Sequence, residues 1–362
     1  MDFDFSDDQV ALRDTAKGLL ADLASPARVR AFTETDELAD ASLWSSLVAQ
    51  GWLAVDSPEA EGGLGLGTVE VALLLEQLGA HAAPVPYLST MVALAACRAA
   101  GRTSAVERLL SGEFVGCVAW SKRPDAVRAA EGDDGWLLTG RPDPVPYAPL
   151  ANVAIVFAST PEGPGVFAVS LDLVGRPPRE PAMDITRPLG WLRFDAAPAQ
   201  HLGGVDAARA LVDRGATYVA AEMLGAAQTV LDLSVAYAKD RVQFGKPIGS
   251  FQAVKHRCAD MLVDVEGMRS ATYWAGWAIG ADDAEASVAA STAKVWGSDA
   301  SKRVMASGLQ VHGGIGFTWE HDLHFYLKRA HLDQLSFGDA SFHRDRLASM
   351  LRARVEHGAS VV

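Results

Sequence analysis

Apolar positions recur with a helical period at both ends of the chain and lose it in the middle. Ser6 and Gln9 form the Ser-x-x-Gln signature of a capping box, in which each side chain bonds the other's free backbone N–H. Leu12, Ala16, Leu19, Leu20 and Leu23 then mark one apolar face of a helix. Val69–Leu78 predicts a second helix stopped at Gly79, and Met91–Ala100 a third closed by Gly101. Between residues 111 and 208 stand twelve of the 17 prolines, a density that helices do not survive. The short apolar runs Val115–Trp120, Trp136–Leu138, Val153–Ala158 and Val166–Leu171 lie between turn residues and predict strands. The helical period returns over Arg209–Asp240, Ser250–Ile279, Glu285–Val311 and His343–Val355. The expected fold is therefore α+β and multi-domain. An N-terminal helical domain covers 1–110, a middle β-domain 111–208 and a C-terminal helical bundle 209–362.

Charge and composition narrow the function. With 32 Lys+Arg against 45 Asp+Glu the net charge is -13, which opposes nucleic acid, since phosphate binding needs clustered cations. The longest uncharged stretch, Leu78–Cys97, holds Pro84 and Pro86 and does not predict a membrane span. The N-terminal run is acidic and lacks the features of a secretion signal. Cys97, Cys117 and Cys258 form neither a metal spacing nor an even set. The expected location is cytoplasmic, with reduced thiols.

Most local patterns have plain explanations. The Gly62–Gly67 run precedes a helix without the strand that a phosphate loop requires, so an interhelical loop is expected. His321 and His324 would need a third ligand to hold a metal and read as a polar edge; Trp274 and Trp277 read as core packing. Two segments of the third block differ. Arg241 ends a helix and runs at once into Phe244-Gly245, while Gln310, Val311 and His312 lead into the glycine turn Gly313-Gly314. A backbone without side chains admits a large ligand closely, and an arginine beside it can bond a pyrophosphate bidentately. Helix capping by the same residues is the alternative; together the two motifs favour a dinucleotide site.

At these residues the chain resembles the acyl-CoA dehydrogenase family. The likeness runs through PEAEGGLGLGTVEVALLLEQLG, RVQFGKPIGSFQAVKHRCADM and QVHGGIGFTWEHDLHFYLKRA. It implies a helix–sheet–helix flavoenzyme that dehydrogenates an acyl-CoA thioester at the α and β carbons, with an electron-transferring flavoprotein as a possible acceptor. By the family pattern, FAD would be held by Arg241, Val242, Gln243, Phe244, Phe251, Gln252 and Gln310 through Gly314, reaching across a subunit interface.

The departures from that pattern shape the expected role. Phe337 stands where the family has its catalytic Glu, and Gly215 stands at the alternative position of that base. Ser121–Ala126 replaces the family's T-E-P-x-A-G-S-D run, and Pro144–Ala148 replaces W-I-T-N-G. The losses fall on the half-site a subunit builds for its own flavin, and the matches on the half it lends to a neighbour. This pattern implies a non-catalytic subunit beside a Glu-bearing partner, as in bacterial heteromeric enzymes of steroid side-chain breakdown. Two alternatives stand beside it: a self-sufficient homo-oligomer using Asp339 as base, with Glu320 and Glu222 behind it, or an acyl-CoA-binding scaffold without chemistry.

Overall fold

The computed structural model describes residues 4–133, 135–356 and 358; the extreme ends of the first and third expected blocks lie outside them. Six helices come first: α1 (Asp7–Leu23), α2 (Pro26–Thr33), α3 (Ala41–Ala49), α4 (Thr68–Ala80), α5 (Tyr87–Ala99) and α6 (Thr103–Leu110). Strands β1 (Gly116–Ala119), β2 (Val127–Gly132), β3 (Gly135–Gly140), β4 (Val145–Pro146), β5 (Val153–Thr160) and β6 (Gly163–Ser170) follow. A single turn α7 (Leu171–Val174) leads to β7 (Leu189–Gly190) and β8 (Phe194–Gly203). The last part holds α8 (Val205–Asp240), the short pair β9 (Val242–Gln243) and β10 (Lys246–Pro247), α9 (Gln252–Gly280), α10 (Ala286–His312), α11 (Leu323–Leu335) and α12 (Ala340–Glu356).

The chain divides into two compact units. One takes residues up to Val29, Thr68–Ala83 and Ala216 onward; the other takes Arg30–Gly67 and Pro84–Gly215. In the second unit a six-stranded sheet runs β1-β5-β2-β3-β8-β6, and β6 pairs again with β5, so the sheet closes on itself. Closure pairs the other five strands on both sides and leaves β1, bonded to β5 alone, at an edge. Its interior is filled by small and branched side chains, among them Val127, Leu138, Val156 and Phe167. Strands β2 and β8 escape the apolar pattern, because most of their outward residues are small or charged.

The first unit is helical. The capping box forms as expected: Gln9 N–H donates to Ser6 Oγ at 3.2 Å and Ser6 N–H to Gln9 Oε1 at 3.0 Å. Helix α4 does not stop at Gly79. A Cβ there would lie 2.0 Å from the Glu222 carbonyl oxygen, and one at Gly225 would lie 1.8 Å from that of Glu76. Both glycines serve close helix contact rather than termination. An alanine cluster of Ala220, Ala275, Ala278, Ala289 and Ala293 packs α8, α9 and α10 together. Trp274 packs on this cluster, whereas Trp277 does not join it and is 38% exposed. Helix α8 alone among the described helices is long and apolar enough to span a membrane, yet most of its apolar window is buried inside the fold.

Buried charge ties the helical unit. Arg329 is fully buried; its Nη1 donates to the Ala83 carbonyl at 2.9 Å and lies 3.2 Å from Glu222 Oε1. Replacing Arg329 by Met leaves a carboxylate in the core without its cation. The expected loss of stability is about 3–5 kcal/mol, read as a fall in the urea midpoint. A loss below about 1 kcal/mol, the range of surface pairs, would show that the pair does not hold the helices.

Candidate functional site

The last turn of α8 runs straight into a tight hairpin. Arg241 N–H donates to the Tyr237 carbonyl at 2.8 Å, and Ile248 N–H donates to the Arg241 carbonyl at 2.8 Å, closing the hairpin base. Strands β9 and β10 pair across Phe244 and Gly245, whose φ values of 53° and 78° match a type I′ turn. Glycine adopts that region freely and phenylalanine at a cost. The turn presents the Phe244 ring to solvent at 91% exposure. Phe251 meets it edge-on at 6.0 Å, with Lys246 Nζ 4.5 Å over the Phe251 ring. Gln252 opens α9, its Nε2 3.0 Å from His256 Nε2. Arg241, Val242 and Gln243 are all exposed, and Arg241 makes no ion pair among the described residues.

Helix α10 ends beside this hairpin. Gln310 is exposed, while Val311 and His312 are buried. The His312 ring stacks on Tyr237 with centroids 4.7 Å apart and planes 24° apart, so the ends of α8 and α10 meet. Burial lowers the pKa of His312, against a hydrogen bond to the Gly308 carbonyl, and keeps the ring neutral. The chain then turns at Gly313, φ 62°. A Cβ on Gly313 or Gly314 would meet nothing within 4 Å, which leaves open space against this backbone. His324 is not on a polar edge: it is 8% exposed and stacks on Trp319 at 4.3 Å. The described residues hold no cluster of three or more potential metal ligands.

The turn between α11 and α12 faces inward. Phe337 has φ 54° and is 7% exposed. His343 Nε2–H donates to the Phe337 carbonyl at 2.8 Å, and its Nδ1 takes the Ser291 hydroxyl at 3.2 Å. Lys294, fully buried, donates to Ser298 Oγ at 3.2 Å and to the Asp333 and Gln334 carbonyls at 3.0 Å each. It thereby caps the C-terminal end of α11, and desolvation draws it down to about 7 in spite of Asp333 and Asp339. Lys294 does not stand out in the sequence. The available signal is Lys294 at helical spacing from Ala290, Ser298 and Ser301 on the small-residue face of α10.

The three carboxylates considered as bases are differently placed. Asp339 Oδ1 accepts from Phe342 N–H at 2.8 Å as the cap of α12. Glu222 is bound to Arg329, and Glu320 lies exposed in the turn before α11. Gly215 lies buried within α8. In the β-unit, Ser121 Oγ donates to Asp143 at 2.7 Å. Val145 and Pro146 are taken into a ladder with β7, and Tyr147 N–H donates to the Pro188 carbonyl at 2.8 Å. These polar groups of the two loops are engaged by their own chain.

Comparison with known proteins settles the family. The model of the acyl-CoA dehydrogenase N-terminal domain matches residues 6–112, and that of the C-terminal domain matches 203–351. The chain belongs to the acyl-CoA dehydrogenase family. Its members are oxidoreductases, and the helix–sheet–helix order is theirs. Acyl-CoA dehydrogenase IpdE2 of Mycolicibacterium smegmatis is 36% identical over 327 residues, covering 90% of this chain and 93% of that protein. A variant of the Tcur3481-Tcur3483 steroid ACAD superposes with a TM-score of 0.90 at 31% identity, covering 96% of this chain and 99% of that one. The ChsE4-ChsE5 complex from Mycobacterium tuberculosis gives 0.89 at 30%, covering 97% and 99%.

The Phe337 turn has a pH signature. Burial pushes His343 from 6.5 to about 3, so the folded state keeps it neutral while the unfolded chain takes up a proton below 6.5. Stability conferred by this group is present above pH 6.5 and falls as the pH drops toward 3, by at most about 1.4 kcal/mol per pH unit. His343→Gln is expected to flatten the acid side of a stability–pH curve measured by urea unfolding. An unchanged slope would place the titration elsewhere.

Proposed function

We propose that this chain is the non-catalytic subunit of a cytoplasmic, heterotetrameric, FAD-dependent acyl-CoA dehydrogenase, acting in steroid side-chain breakdown. It lends FAD contacts to a partner chain that carries the catalytic Glu. One observation carries this: the family's lent half-site is exposed and open, whereas its own half-site is closed. Arg241 keeps an exposed guanidinium without an ion pair among the described residues, and Gly313 and Gly314 border open space. These residues fit a pyrophosphate and its flanking riboses. At the family's flavin-ring positions, Tyr147 N–H and Ser121 Oγ are already used, and Pro144 and Pro146 have no N–H to give. Those residues do not fit a flavin.

When bound, FAD supplies the acceptor for the hydride leaving the β-carbon of an acyl-CoA. Within this chain, Arg241 neutralises phosphate charge, Gln243, Gln252 and Gln310 offer amides, and Phe244 and Phe251 offer ring faces. The α-proton passes to a carboxylate that this chain does not provide: Phe337 cannot accept it, and Asp339 is occupied as a helix cap. An electron-transferring flavoprotein is the acceptor the family pattern implies. The relatives named for steroid chemistry and for a two-protein complex support the substrate class and the heteromeric assembly. The three free cysteines suit a reducing compartment.

Co-expression with a Glu-bearing relative tests the assignment. The expected complex holds one FAD per pair of unlike chains, measured as flavin absorbance against both polypeptides; one FAD per polypeptide, or a yellow, active homo-oligomer, would overturn it. In that complex Arg241→Ala is expected to weaken FAD retention about ten- to a hundredfold, the value of a charge-assisted contact. Full retention in an assembled variant would remove Arg241 from the site.

A further inference from the structure

We infer that Tyr237 and His312 form an aromatic clasp that holds the Arg241–Pro247 hairpin beside the Gly313–Gly314 turn ahead of any ligand, presetting a site for a dinucleotide pyrophosphate. Both are positioning residues rather than ligands. The identity of the ligand rests on the function proposed above; the clasp itself does not.

The hairpin has little of its own to keep it in place. Its ladder is two residues long on each side, and an isolated pair of that size is marginal in water. Phe244 adds strain, held in a left-handed conformation with its ring in solvent. What fixes the hairpin lies just upstream. The Arg241 N–H is bonded to the carbonyl of Tyr237, so the placement of that tyrosine sets where the hairpin leaves the helix.

Tyr237 is in turn set by His312. A carbonyl can only accept, so the 2.8 Å contact from His312 Nδ1 to the Gly308 carbonyl puts the proton on Nδ1, in the ring plane and clear of its faces. That plane stacks on Tyr237, and His321 meets the His312 ring edge-on at 4.6 Å. The remaining nitrogen, Nε2, is buried without a hydrogen-bond partner, in a residue only 3% exposed. Such a ring is shut away from solvent, and what it contributes is placement.

The two helices are already converging here. A Cβ on Gly308 would fall 2.4 Å from Val230 Cγ1 and 3.4 Å from Ser234 Oγ, both on α8. Just beyond the hairpin, a Cβ on Gly249 would fall 2.8 Å from the Ala238 carbonyl, so the returning chain is pressed against α8. The stack of Tyr237 on His312 completes this convergence at the last turn before Arg241.

Hydrogen exchange on the full-length chain, followed by mass spectrometry with and without added FAD, tests the clasp. Tyr237→Leu and His312→Leu are expected to speed exchange across Val242–Lys246 by roughly three- to tenfold, the opening penalty carried by one aromatic pair. Exchange in the buried middle of α8 should stay at the wild-type rate, and His312→Phe, which keeps the ring without its nitrogens, should restore slow exchange in the hairpin. Unchanged hairpin exchange in Tyr237→Leu would overturn the clasp. So would His312→Phe exchanging as fast as His312→Leu, since the nitrogens rather than the ring would then be at work. Tyr237 is half-buried at a helix end, so its variant keeps the comparison available should His312→Leu fail to fold. If the hairpin behaves as expected but wild-type chain with its co-expressed partner takes up no FAD, the clasp stands and its dinucleotide is overturned.

Discussion

Helices α4 and α8 touch backbone to backbone, and the rest of the helical unit is arranged around that contact. Gly79 and Gly225 leave no room for a Cβ on either side, at 2.0 and 1.8 Å from the facing carbonyl oxygens of Glu222 and Glu76. The carbonyl-bearing residues are themselves anchored. Glu76 is held by Arg269 Nη1 at 2.6 Å and by the Tyr273 hydroxyl, and Glu222 by buried Arg329. Close approach therefore locks two buried carboxylates to cations from α9 and α11. A charge taken out of water this way is tolerated only when its partner is fixed. Arg241 follows directly on the last residue of α8.

Opposite fates meet at the two ends of the same family template. The Arg241 hairpin and the Gly313–Gly314 turn lie open to solvent. The α11–α12 turn does the reverse: His343 and Lys294 bind the backbone around it, and Phe337 is drawn into the interior. In the β-unit the loop from Pro144 to Ala148 has become a strand edge paired with β7. One set of features lies open to solvent, and the other has its donors turned inward.

Much of this is legible in the sequence because it depends on local rules. Helical period locates α8, α9 and α10 to within a few residues, and the run from Arg241 into Phe244-Gly245 marks where α8 ends. What escapes depends on contacts distant in sequence. Gly79 reads as a helix stop until Glu222 is known to lie against it. Strand β8, with Asp195, Gln200 and His201 among its residues, has no alternating apolar signal and exists because β3 and β6 pair with it. Helix α11 is hidden by its buried Arg329, Asp333 and Gln334, which look like surface residues by type. His324 likewise reads as polar because its stack on Trp319 is a property of the fold.

Phe337 also limits what its own position can hold. The position is 7% exposed, in a left-handed conformation, with its carbonyl held by a histidine kept neutral by burial. Exchanging it for an acid would take a carboxylate out of water beside a Lys294 already committed to the Asp333 and Gln334 carbonyls, at a cost of several kcal/mol. Packing thus decides what this position accepts: with the turn closed over an aromatic ring, room and solvation for an acid would require several coordinated substitutions.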